Sequence, residues 1–437
     1  MDRRTALKLL TSGLLATMVS DQLIGMTGFR GEELRAADFG NDFTWGVATA
    51  AYQTEGAYDL DGRRMSVWDT FSHTDGNVKN NQTGDTACDF YHLYPGDISI
   101  IRDLDFNAFR FSLSWSRIVP NGKTGVNQKG IDFYHRVIDT CLEKGIVPWI
   151  TLYHWDLPQD LEDQGGWRNR DVVKRFSDYV SVCANAYGDK VKHWMVLNEP
   201  FAFTALGYML GMHAPGRYGL KNFLPAVHHA VVKRYDAFLN RLFIEPSLGM
   251  GYPVADLPFL HRIGKYILTN DESLMKFNFD FTGVQNYTRT VVQSNLIIPY
   301  LLGSPVSPKR RKVGQITEMG WEVYPEGIYR ALKYLAKYPV RDIYVTENGA
   351  AFKDVLIEGR IHDIDRIEFY KAYLQQVLKA KREGVNVKGY FAWSLLDNFE
   401  WAEGYRPRFG LVYVDFASQK RYIKDSGLWF KNFTLRT

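Results

Sequence analysis

His193-Trp194-Met195-Val196-Leu197-Asn198-Glu199-Pro200 and Ile343-Tyr344-Val345-Thr346-Glu347-Asn348-Gly349 share one layout. Each is a short apolar run of strand-forming residues that ends on a glutamate beside an asparagine and is broken at once by proline or glycine. Apolar character that is continuous rather than alternating marks a strand covered on both faces, as parallel strands are in α/β proteins. The layout recurs outward in both directions. Strands are expected at 43–51, 108–115, 147–153, 193–197, 281–284, 343–346 and 387–393, with helices at 130–144, 172–187 and 364–383 between them. Read to their C-terminal tips, these strands present Gln53 and Glu55, Arg110 within the second strand, His154-Trp155, Asn198-Glu199, Asn286-Tyr287, Glu347-Asn348, and Trp393 with Asp397 beyond it. A (β/α)₈ TIM barrel gathers such tips on one face and builds its active site there, so this α/β architecture is the expected fold.

One strand is hard to find. The 88 positions from Glu199 to Tyr287 (287 minus 199) leave room for two βα units at about 30 residues each. Yet around Val231-Val232-Lys233-Arg234 the fifth strand is missing or replaced. Residues 247–254 are the available substitute, although their two glycines make a poor strand. A barrel short of a strand exposes two unpaired edges, which is costly.

The chain has 437 residues and a formal charge of +4, and no basic block is dense enough to follow a phosphate backbone, so no nucleic acid partner is expected. Aromatic residues make up 15% of the sequence, which suits both a large core and the stacking of sugar faces. Cys88, Cys141 and Cys183 are odd in number and widely spaced, so they read as buried thiols. No His, Asp or Glu cluster has ligand spacing, so neither a metal nor another cofactor is expected. No apolar run is long enough for a membrane span. The N-terminus stands apart: Arg3-Arg4 followed by the apolar stretch 9–19 reads as an export signal of twin-arginine type, which would carry the chain to the periplasm; without it the chain stays in the cytoplasm. Residues 1–38 are therefore taken as signal and linker, and 39–437 as one barrel domain, uninterrupted by linker or repeat.

Two carboxylates at barrel tips can cleave a glycosidic bond. One protonates the leaving oxygen and the other meets the developing oxocarbenium ion, about 5 to 5.5 Å away in retaining enzymes. Glu199 and Glu347 are the candidate pair, and Arg110 is placed to hold the charged member. Each glutamate alone is as well explained by a helix cap or an ion pair.

Asn198-Glu199-Pro200, Thr346-Glu347-Asn348-Gly349 and Gln53-x-Glu55-Gly56 together resemble glycoside hydrolase family 1, the β-glucosidase family. The resemblance runs on through 110–115, 152–158, 397–401 and 408–411, and covers about residues 39–430. It implies Glu199 as acid/base and Glu347 as nucleophile, with Arg110 and Tyr287 orienting and ionising the latter. Asn198 resembles the donor to the sugar 2-hydroxyl. Gln53, His154, Glu400 and Trp401 resemble the hydroxyl readers, Trp393 the platform beneath the sugar, and Trp321 a tryptophan at the aglycone entrance. Glu400 stands where members acting on 6-phosphorylated sugars carry serine, which argues for unphosphorylated substrates. Glu199 stands where plant thioglucosidases carry glutamine, which argues for O-glycosides. Two rivals stay open: a sugar-binding barrel whose catalysis is impaired by the deletion near residue 233, and a metal-dependent barrel enzyme.

Overall fold

The computed structural model describes residues 34–435 apart from 124, 231–240, 255–257 and 295–302. The export-signal reading falls on residues outside this set. Seven strands form one parallel sheet: β1 (Thr44–Ala48), β2 (Ala108–Ser112), β3 (Val147–Tyr153), β4 (His193–Leu197), β5 (Phe281–Gln285), β6 (Asp342–Asn348) and β7 (Val387–Trp393). Their lateral order is β4-β3-β2-β1-β7-β6-β5. That is the circular order of a TIM barrel, interrupted between β4 and β5. Two small antiparallel hairpins, Val292–Ser294 with Gly303–Pro305 and Val412–Asp415 with Lys420–Ile423, lie outside the sheet.

Helices α1 (Gln128–Glu143), α2 (Asp171–Tyr187) and α3 (Ile364–Arg382) lie within one or two residues of their expected bounds. In α1 the buried residues Ile131, Tyr134, Ile138 and Cys141 recur at helical spacing, giving one apolar stripe against the strands. In α3 the last turn carries Lys379, Lys381 and Arg382 over the carbonyl end, where positive charge is favoured. All three cysteines are free and buried, as expected. No helix among the described residues is long and apolar enough to cross a membrane.

Residues 247–254 do not supply the fifth strand. Helix Leu242–Ser247 ends there, with the amide of Met250 bonded to the carbonyl of Glu245 and that of Gly249 to Pro246. Gly249 at φ +76 completes this left-handed helix stop, and Gly251 at φ +75 turns the chain again. Among the described residues β4 therefore pairs only with β3, and β5 only with β6. Burial registers the interruption. All five residues of β2 are buried, whereas none of the five in β4 is, and Val196 is 47% exposed.

The barrel floor still closes across this interruption. Trp149 of β3 stacks on His193 of β4 at 4.0 Å and meets Phe281 of β5, Tyr344 of β6 and Phe391 of β7 at 5.1, 4.8 and 5.1 Å. One large ring thus packs against four strands, including both free edges.

Candidate active site

The strand tips converge around a cavity of about 560 Å³. His154, Asn198, Glu199, Tyr287, Trp321, Glu347, Trp393, Glu400 and Trp401 line it. Arg110 and Gln53 are not among the lining residues but contact them or their neighbours.

Glu347 comes from β6, where the register shifts on both sides of the strand. Such irregularities re-aim side chains at barrel rims. One carboxylate oxygen is ion-paired with Arg110, and the other accepts a 2.6 Å hydrogen bond from the Tyr287 hydroxyl. Burial, followed by the charge on Glu347, raises the Tyr287 hydroxyl well above its ordinary range, so it stays a donor. Gly349 follows in the motif because a β-carbon there would lie 1.8 Å from the Trp393 carbonyl oxygen.

Asn198 is the hub of the site. Its side-chain oxygen accepts from Arg110 at 2.6 Å and from Gln285 at 2.7 Å, and its amide nitrogen meets His154 at 2.9 Å. The Trp155 indole donates to its backbone carbonyl at 2.9 Å. Gln285 belongs to β5 and Asn198 follows β4, so this side-chain bond spans an interval that no backbone ladder crosses among the described residues. Gln285 is a residue that sequence reading missed: its role appears only once the strand edges are seen to be unpaired.

Glu199 sits one residue further, half-buried at the cavity wall. Desolvation first, then the negative charge of Glu347, then that of Glu400, lift its carboxyl well above the usual range, against the pull of Arg110. Glu400 is pushed up to about 8, by burial and then by Glu347 and Glu403. His154 is driven well below its ordinary value by burial and by the Arg110 charge, and is therefore a neutral ring that can both donate and accept. Trp155, Glu199 and Trp401 hold positive φ (75°, 37° and 49°), a conformation that non-glycine residues keep only where the surroundings enforce it.

Of the buried polar atoms that lack a partner among the described residues, three belong to residues expected to read sugar hydroxyls: Oε1 of Gln53, Nδ1 of His154 and Oε2 of Glu400. Gln53 sits on the helical turn Ala51–Thr54 rather than at the end of β1, which stops at Ala48, a correction to the longer strand read from sequence. Its amide nitrogen is spent on Asn398 and the Phe399 carbonyl, leaving the oxygen free. Unmatched acceptors and donors of this kind suit a polyhydroxylated ligand, whose hydroxyls both give and take. Trp393 and Trp401 supply flat apolar surface beside them. Across the cavity, Trp321 packs against Tyr287 and Phe409 at 5.5 and 6.0 Å.

Glu55 and Asp397, also read as tip carboxylates, are engaged elsewhere. Glu55 takes Arg117 at 3.0 Å and the Tyr134 hydroxyl at 2.6 Å, and Asp397 takes Arg408 and Lys424, both at 2.7 Å. They brace the loops behind the site. Met319, His213 and Tyr218 also line the cavity and lie outside every motif read from the sequence, while Phe409 lines it from within the 408–411 motif.

The model of Glycosyl hydrolase family 1 matches residues 35–238 and 230–436. The chain belongs to this family. The two matched segments overlap at 230–238, the stretch where the sequence reading found no fifth strand. This family 1 glycosyl hydrolase is 44% identical to Beta-glucosidase A of Thermotoga maritima, the alignment covering 90% of the chain and 97% of the relative. It is 41% identical to Beta-glucosidase A of Acetivibrio thermocellus, with the same two coverages. The solved family 1 β-glucosidase from Thermotoga maritima superposes with a TM-score of 0.83 over 90% of this chain and 97% of that one. The same Thermotoga enzyme in complex with isofagomine lactam gives 0.84, at 43% identity over 90% and 98% of the two chains.

Proposed function

We propose that this family 1 enzyme is a retaining β-glycosidase, β-glucosidase-like, which hydrolyses unphosphorylated β-O-glycosides from the non-reducing end. The observation that carries the reading is the opposed setting of two carboxylates in one cavity. Glu347 is held by a cation and a hydroxyl donor, while Glu199 is lifted toward its protonated form. Glu347 attacks the anomeric carbon as Glu199 gives its proton to the departing glycosidic oxygen, and a covalent glycosyl-enzyme forms. Esterified Glu347 no longer carries the charge that raised Glu199, so Glu199 loses affinity for a proton and turns from acid to base. It then takes a proton from water, whose oxygen displaces Glu347 and restores the starting charges. The names of the relatives support a glucoside as substrate. Gln53, His154, Asn198, Glu400 and Trp401 are assigned to its hydroxyls, Trp393 to the face of its ring and Trp321 to its leaving group.

The impaired-barrel alternative draws on the open interval between β4 and β5. Against it, the Gln285–Asn198–Arg110–Glu347 chain of contacts ties the tips of both edges together. Residues 1–38 are read as an export signal and linker ahead of a single barrel domain; fractionating the host cell decides between periplasm and cytoplasm. The mechanism itself is tested by Glu347→Ala, which should abolish hydrolysis of β-glucosides. Added azide should then restore slow turnover and yield the α-glycosyl azide. Near-normal activity of Glu347→Ala without azide would refute the assignment.

A further inference from the structure

Tyr218 is 66% exposed, the largest such value among the exposed large hydrophobic side chains, yet it lines the rim of the active-site cavity. It is held by its neighbours rather than left to swing. Leu210 and Tyr218 form an antiparallel bridge, and the Tyr218 carbonyl accepts the side chain of Asn222 at 2.6 Å. Beneath the ring lies Gly211, itself at φ +64. A β-carbon at Gly211 would meet Cζ, Cε2 and Cε1 of Tyr218 at 2.5, 2.7 and 2.8 Å. The phenolic oxygen is not among those three nearest atoms, so the approach is onto the face of the ring and not at its edge. One face of Tyr218 is therefore seated on the Gly211 backbone, which leaves the opposite face of this largely exposed, cavity-lining ring open to a ligand. Glycine at 211 is what allows this seat, because any side chain there would push the ring away.

A flat, preset aromatic face at the mouth of a cavity whose depth holds the reacting sugar is suited to the apolar face of another sugar ring. Asn77, Asn80 and Asn81 line the same cavity, and the amide groups not spent on the Phe71 carbonyl (Asn77) and the Gly76 amide (Asn81) can bond sugar hydroxyls. We infer that Tyr218 is a platform for a leaving-group sugar, so that the enzyme favours β-linked oligosaccharides over glycosides with small aglycones. This deepens the glycosidase reading and rests on it. Trp321 stands with Tyr287 and Phe409 next to the nucleophile, whereas Tyr218 belongs to the segment 210–218 after β4, so the two aromatics serve different parts of the leaving group.

The experiment compares kcat/KM on cellotriose with kcat/KM on methyl β-glucoside, whose aglycone is too small to reach the rim. In Tyr218→Ser the ratio of the two should fall about fivefold, the range that stacking of one aromatic face supports. Tyr218→Trp, which offers a larger face and keeps the packing on Gly211, should hold or raise the ratio and guards against misfolding of the serine variant. A ratio that does not move in either variant overturns the platform. A wild-type enzyme that cleaves neither substrate instead overturns the glycosidase reading beneath it, and the two failures are told apart by wild-type activity alone.

Discussion

Glu199 and Glu347 are the same side chain in opposite surroundings, and the proposed mechanism rests on that difference. Glu347 has a donor on each oxygen, so its charge is supported. Glu199 is lifted by desolvation and by the charge of its partner. Because a raised carboxyl stays protonated to higher pH, the acid form persists beyond the range of an ordinary carboxyl and is lost as pH climbs through its pKa. The rate should therefore fall on the alkaline side as Glu199 ionises. Glu199→Gln cannot make that transition, so its kcat/KM on an activated dinitrophenyl glucoside should be independent of pH over the alkaline limb seen in the wild type. On glycosides with poor leaving groups the same variant should lose about 10³-fold, since those depend on protonation at departure. Equal losses for good and poor leaving groups would remove Glu199 from the acid role. At this scale most of the site was legible: the tips named from sequence as site residues line one cavity or stand directly behind it. Tyr218 and Gln285 were not, because the value of each comes from a neighbour far off in sequence or from backbone geometry, neither of which leaves a local pattern.

Among the elements, β4 and β5 carry the consequence of the shortened chain. The sequence reading found no fifth strand near residue 233, a stretch outside the described residues, and residues 247–254 stood as its substitute until the helix stop at Gly249 was seen. An apolar run with two glycines reads equally as a weak strand or as the end of a helix, and the carbonyl contacts that decide it are tertiary facts. With no ladder between the two edges among the described residues, the 2.7 Å bond from Gln285 to Asn198 joins their tips. Asn198 in turn orients Arg110, the partner of Glu347. Gln285→Met keeps the volume and removes the donor. It should lower kcat on methyl β-glucoside about tenfold, since a small displacement of the reacting groups is amplified in rate, while stability falls by only about 1 kcal/mol, the worth of one hydrogen bond. Full activity in Gln285→Met would show that the tips are held in register by something else.

For the whole molecule the question is how a barrel whose wall is interrupted among the described residues keeps one cavity. Its floor is closed by Trp149, which touches β4, β5, β6 and β7 through ring contacts, and its top by the polar chain from Gln285 to Glu347. Between these two closures the edges of β4 and β5 lack backbone partners among the described residues, and Val196 meets solvent. Local opening costs least where backbone hydrogen bonds are few and solvent is near. Stability should therefore be graded around the sheet, lowest at the two free edges and highest opposite them. β1 and β7 are the test strands for the other extreme, because each is laddered to a neighbour on both sides and is buried along most of its length. Amide exchange followed by mass spectrometry should show residues 193–197 and 281–285 losing protection well before 44–48 and 387–393. A glucose-shaped inhibitor that engages Asn198, just beyond β4, and Tyr287, just beyond β5, should slow exchange at both free edges together and leave β1 unaffected. Equal and strong protection in all four strands without ligand would mean that the edges are paired in solution, and the wall would then be continuous.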